Sequence, residues 1–135
     1  MSGQHQTIDG LLRESRARLD RVTPERASAA MDQGALLIDI RSESQRASDG
    51  VVPGSLFVAR NVLEWRLDPH GERRIPGFTE DTTVIVFCNE GYSSSLAARD
   101  LRALGLRHAT DLIGGFRAWR AAGLPIRAGA TPAVT

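Results

Sequence analysis

The residue in this chain best suited to nucleophilic chemistry is its single cysteine, Cys88. It follows Thr83-Val84-Ile85-Val86-Phe87, a β-branched and aromatic run that is apolar on both faces, the pattern of a buried parallel strand. After it, Asn89 to Ser93 form a short loop, and a helix begins near Ser94. The first N–H groups of that helix lack intrahelical partners. Gly91 is free to take positive φ, so a compact loop here can turn further N–H groups inward as an anion nest. A thiol so placed loses its proton below the free value of about 8.5, and the thiolate is the nucleophile. The alternative, a strand-end cysteine acting as a small hydrophobe, is common for this residue type. The Gly- and Ser-rich turn weighs against it.

The elements that must position Cys88 can be read around it. Leu96, Ala97, Leu101 and Leu104 recur at helical spacing, and Gly105-Leu106 supply a Schellman-type stop. Ala35 to Ile40 is a second buried strand, preceded by a helix that Thr23-Pro24 starts and Gly34 ends. Asp39 and Arg41 close that strand. In a parallel sheet they share the rim with Cys88, with structural pairing the favoured role. A helical turn fits Ser42 to Ala47, a short strand Leu56 to Val58, and a helix Asn61 to Leu67. Arg60 reaches the same rim and is the candidate cation for a loop that has none; Trp65 reads as packing. Residues 68–82 carry Pro69, Gly71, Pro76 and Gly77 and read as irregular. Ala109 to Ile113 is the last strand, and Gly114-Gly115 open a helix whose Phe116 and Trp119 face the core. Those glycines also allow close approach to the Cys88 loop. Near the N-terminus, Ile8, Leu11, Leu12 and Leu19 mark one face of a helix, with Arg13, Glu14, Arg16 and Arg18 outward on a solvated face.

Length and composition bound the function. At 135 residues the chain is one domain, large enough for a core. A net charge of +1 gives no field that argues for nucleic acid or a membrane. All 17 basic residues are arginine, which excludes a lysine Schiff base. One cysteine forbids an internal disulfide and suits a reducing cytoplasm. The three histidines are scattered and suggest no metal site, and no cofactor motif stands out. No apolar run is long enough for a signal peptide or a spanning helix.

Four stretches in order resemble the rhodanese-like sulfurtransferases: Leu36-Leu37-Ile38-Asp39-Ile40-Arg41, Gly50-Val51-Val52-Pro53-Gly54-Ser55, the Cys88 to Ser94 loop, and Gly114-Gly115-Phe116-Arg117-Ala118-Trp119. They cover about Thr23 to Pro125. The resemblance implies one α/β domain over residues 8–127, with a mainly parallel five-stranded sheet and helices on both faces, between a flexible stretch 1–7 and a flexible tail 128–135. It implies that Cys88 takes a sulfur from a donor as a persulfide and yields it to a thiol or other nucleophile. Asn89, Glu90, Gly91, Tyr92, Ser93 and Ser94, with Arg60, would hold the substrate. Donor and acceptor are small molecules or proteins, and the state is a monomer or homodimer. The sequence departs from the family where Ser93 replaces a common basic residue, and where Val51 replaces the usual histidine before Pro-Gly. Glu90 either points outward as a solvated carboxylate or inward, where it weakens activity on anionic thiosulfate.

Three functions could use such a site. Sulfur transfer is favoured by the loop chemistry. A phosphatase or arsenate reductase places Arg six residues after its cysteine to clamp the oxyanion, and Ser94 stands there. A binding or redox-sensing module with little turnover is the third, and the absence of a loop cation fits it. Tyr92 at the loop tip is either an acceptor contact or an ordinary surface aromatic.

Overall fold

The computed structural model describes residues 5–129 and 132–135. The sheet is parallel, with strands β1 (Leu36–Asp39), β2 (Leu56–Phe57), β3 (Thr83–Phe87) and β4 (His108–Asp111) in the order β2-β1-β3-β4. Each crossover carries helix, and side chains alternate between the faces. Ile38, Val84 and Val86 enter a core completed by α4 (Leu63–Leu67) and α5 (Ser93–Ala103). Leu37, Ile85 and Phe87 enter a second, closed by Ala27 of α2 (Pro24–Asp32) and by Phe116 and Trp119 of α6 (Gly115–Ala121). Helix α1 (Ile8–Ala17) packs on α5.

Local signals fix several ends. Thr23 caps α2 by accepting from Arg26 N–H, with Pro24 at the first helical position. The turn expected at Ser42 is a full helix, α3 (Glu43–Asp49), whose capping box joins Ser42 and Gln45. Helix α5 ends in the expected Schellman pattern, with Leu106 N–H donating to Leu101 O and Gly105 N–H to Arg102 O. Residues 60–62 form a 3₁₀ turn before α4.

Among the described residues the sheet has four strands rather than the five expected. The place beside β4 is taken by Val22 alone, which bridges Leu112 in parallel. Its N–H donates to Asp111 O and its carbonyl accepts from Ile113 N–H. Thr23-Pro24 then turns the chain into α2, so this segment cannot extend as a strand.

The C-terminal tail, expected to be flexible, is docked over its described last residues. Val134 bridges Val58, donates to Phe57 O at 2.8 Å and accepts from Ala59 N–H at 3.2 Å. Val134 pairs with the outer edge of β2 while packing on the core. Residues 130–131, and residues 1–4 of the N-terminal stretch, lie outside the described residues. Trp65, expected to pack, is 63% exposed, because α4 buries Leu63 and Leu67 on the opposite side.

Candidate active site

Strand β3 delivers Cys88 to the rim between the ends of β1 and β4, where Asp39 pairs in register with Phe87, and Asp111 with Val86. The loop after it is held by its carbonyls. Cys88 O accepts from Phe116 N–H at 2.9 Å and Asn89 O from Arg117 N–H at 3.1 Å, so the start of α6 fastens the first half. Gly91 O accepts from Arg16 Nη2 at 2.8 Å and Arg21 Nη2 at 3.1 Å. Glycine is required on both sides of this approach. A Cβ on Gly115 would lie 2.5 Å from Cys88 O, and one on Gly91, whose φ is +89°, 2.7 Å from Gly114 N.

With those carbonyls tied outward, N–H groups face the sulfur. Gly91 N–H donates to Cys88 Sγ at 3.2 Å. Ser94 Oγ lies 3.3 Å from Sγ and donates to Asp111 Oδ2 at 2.8 Å; Ser95 Oγ donates to the same oxygen at 2.8 Å. Helix α5 begins at Ser93 with Tyr92 as N-cap and no side-chain cap, leaving its first N–H groups for an anion. Burial pushes the thiol up and is the largest single influence. Hydrogen bonds from the Ser94 and Ser93 hydroxyls and from the Ser94 and Gly91 N–H groups together outweigh it, so Cys88 sits below its ordinary value. At 8% exposure the residue opens on a cleft of about 260 Å³, lined by Ile40, Arg41, Ser42, Gln45, Cys88, Asn89, Glu90, Tyr92 and Ser93.

The expected site residues divide. Asn89, Glu90, Tyr92 and Ser93 line the Cys88 cleft, and Gly91 and Ser94 hold the sulfur. The Asn89 Oδ1 is buried in that wall without a hydrogen-bond partner. Glu90 turns to the rim, where Arg117 Nη1 meets it at 3.3 Å, and over half of its side chain is exposed. Arg60 does not reach the cleft. It pairs with Glu64 at 2.9 Å and Asp100 at 3.6 Å and lines a neighbouring groove, because the 3₁₀ turn directs it towards α4 and α5.

Asp39 and Arg41 form a buried pair at 2.8 Å, with Arg46 Nε at 3.2 Å from the same carboxylate. Arg41 also donates to Gly50 O and stacks 3.8 Å from the centre of the Phe116 ring. Arg41 also forms part of the cleft wall.

Four participants escaped the sequence reading: Arg16, Arg21, Ser95 and Asp111. The placement of Asp111 at a strand end on the rim was an available signal. Arg16 falls on the helix face that reads as solvated, yet it is half-buried and reaches Gly91 O, Ser95 Oγ and the face of Tyr92.

Fold and site together define an α/β domain that presents one activated sulfur on a strand–loop–helix turn. The profile of the rhodanese-like domain matches residues 23–122, and the chain belongs to that family. It is 35% identical over 101 residues to the thiosulfate sulfurtransferase GlpE of Pseudomonas fluorescens (strain SBW25), covering 74% of this chain and 84% of that protein. The GlpE of Haemophilus influenzae (strain ATCC 51907 / DSM 11121 / KW20 / Rd) is 31% identical over 105 residues, 78% of this chain and 91% of its own length. Among solved structures, a Rhodopseudomonas palustris CGA009 protein of unknown function, described as a possible tyrosine phosphatase, superposes with a TM-score of 0.80 at 34% identity. That match covers 93% of this chain and all of the other. The polysulfide-sulfur transferase homodimer of Wolinella succinogenes shares the fold, with a TM-score of 0.73 at 22% identity over 89% of this chain and 86% of that one. With these relatives, the chain is a sulfurtransferase enzyme. No helix among the described residues is long and apolar enough to cross a membrane.

Proposed function

We propose that Cys88 carries a sulfane sulfur as a persulfide between a donor and a thiol or other nucleophilic acceptor. The thiolate attacks the outer sulfur of the donor, and the bond to the leaving group, sulfite in the case of thiosulfate, breaks with its electron pair. The product, Cys88–S–S⁻, has its charge on the terminal sulfur. An acceptor thiolate then attacks that sulfur, forming an acceptor persulfide and returning Cys88 as thiolate, with no net oxidant required. The observation that carries this reading is the 3.2 Å contact from Gly91 N–H to Sγ within a loop whose Cys88, Asn89 and Gly91 carbonyls are bonded to other elements. Such fixed donors stabilise an anion without reorganising.

Glu90, which lines the cleft, weakens activity on anionic thiosulfate, an effect that its pairing with Arg117 limits. Phosphoryl transfer is disfavoured, since buried Ser94 stands where an oxyanion clamp would need Arg. A reducing cytoplasm suits a lone thiol that must return to its free state after each cycle.

Intact-protein mass spectrometry after incubation with thiosulfate or polysulfide tests the proposal. One added sulfur on the wild type, removed by cyanide and absent in Cys88→Ser, is expected. A wild type that gains no sulfur from any donor returns the site to the binding or redox-sensing alternative.

A further inference from the structure

We propose that Arg16 and Arg21, which precede the matched segment 23–122, are positioning residues that supply the Cys88 loop with the positive charge its own sequence lacks. This rests on sulfur transfer for the meaning of the site, but not for its test. Both guanidiniums donate to one acceptor, Gly91 O, at 2.8 and 3.1 Å. A trans peptide is planar, with its carbonyl and N–H pointing opposite ways. Anchoring Gly91 O on the outside therefore aims the Tyr92 N–H towards the inner side of the loop. The Gly91 residue that makes this bend also donates its own N–H to Sγ. Were the Gly91–Tyr92 peptide to flip, an inward carbonyl would oppose an anion where an N–H now favours it.

Each arginine has a second hold on the site. Arg16 Nε donates to Ser95 Oγ at 3.0 Å, and its guanidinium lies 5.7 Å from the centre of the Tyr92 ring. Arg21 grips both oxygens of Asp111, at 2.8 and 3.2 Å, and Asp111 receives the Ser94 and Ser95 hydroxyls. A chain of hydrogen bonds thus runs from Arg21 through Asp111 and Ser94 to Sγ. The segment before the matched domain is in this way part of the sulfur site, and its two cations stand beside a loop that in this family commonly carries one within itself.

The test is the rate of Cys88 alkylation by iodoacetamide against pH, with the full chain. Arg16 is only half-buried, so Arg16→Gln is expected to keep the fold by circular dichroism. Its profile should move to higher pH with the high-pH plateau unchanged, slowing alkylation at neutral pH roughly threefold to tenfold. Arg16→Lys keeps the charge but loses the two-pronged grip, and should restore part of the rate. Exposed Arg13→Gln on the same helix should match the wild type. An Arg16→Gln profile that overlays the wild type overturns the proposal. So does a lowered plateau with an unmoved midpoint, because that is lost structure and not lost charge and aim. Persulfide formation is scored separately on the wild type, so either reading can fail while the other stands.

Discussion

Replacing Ser94 by Ala isolates the one side chain that two anions compete for. Its hydroxyl has a single proton. While Cys88 is a thiol, Sγ–H faces Ser94 Oγ at 3.3 Å and the hydroxyl donates to Asp111 Oδ2 at 2.8 Å. Once Cys88 ionises, the hydroxyl can turn to Sγ, while Asp111 keeps Ser95 and both contacts from Arg21. A hydrogen bond to a charged acceptor is worth about 1.5–3 kcal/mol, and releasing Asp111 returns much of that, leaving a net of about 0.5–1.5 kcal/mol. At about 1.36 kcal/mol per tenfold, Ser94→Ala should cut the thiolate population near neutral pH roughly twofold to tenfold. The sign follows from the depressed thiol. Reactivity falls as pH drops through the folded pKa, and in the variant that fall begins at higher pH. Iodoacetamide alkylation followed against pH measures it, and the plateau should be unchanged. A profile identical to the wild type, or moved to lower pH, refutes the reasoning, because Asp111 would then hold the proton in both states.

Other perturbations read other parts of the site. Gly115→Ala places a Cβ 2.5 Å from Cys88 O at a φ of +61°. Backbone strain and overpacking together should cost about 2–5 kcal/mol in urea unfolding; a near-neutral effect would show that α6 does not clamp the loop. Asp39→Asn leaves Arg41 and Arg46 buried beside a neutral amide, and about 3–5 kcal/mol of stability should be lost in the same assay. Glu90→Gln should raise kcat/KM for thiosulfate only about twofold to fivefold, since Arg117 already faces this half-exposed carboxylate; a change of a hundredfold would mean that Glu90 turns inward. The depressed thiol also links to stability. Its contribution is full above the unfolded pKa and lost as pH falls through the folded one, so the stability gap between wild type and Cys88→Ser should widen as pH rises through that window; a constant gap contradicts it.

The parts of this molecule that are legible in the sequence are those settled within a few residues. The strand Thr83 to Phe87, the glycine at 91 and the Schellman stop at Gly105 each follow from neighbours in the chain, and each is found. The contact of Asp39 with Arg41 spans only two positions and is local in the same sense. The contacts that hold the sulfur loop from outside were not legible. Gly91 meets Arg16 and Arg21 across 75 and 70 residues, and Ser94 meets Asp111 across 17. A helical pattern states which way Arg16 leaves α1, but not that α5 and the loop lie there to receive it. Arg60 shows the complementary case: acidic partners on α4 and α5, which its neighbours in the chain do not reveal together, pair with its charge.

That contrast bears on how the loop works without a cation of its own. An anion nest needs every carbonyl of a tight turn directed away from the centre, and a five-residue loop has no internal donors to hold them there. This chain fastens Cys88 O and Asn89 O to the first turn of α6, which binds two carbonyls with N–H groups it had no other use for. Gly91 O is held instead by Arg16 and Arg21. A guanidinium is well fitted to hold that oxygen, because it donates in a fork and brings charge with it. A lone arginine inside the loop would supply charge to the donor but leave this carbonyl free to turn. Arg16 and Arg21 hold it from behind the loop, bring their charge to that side, and do not line the cleft in front of Sγ.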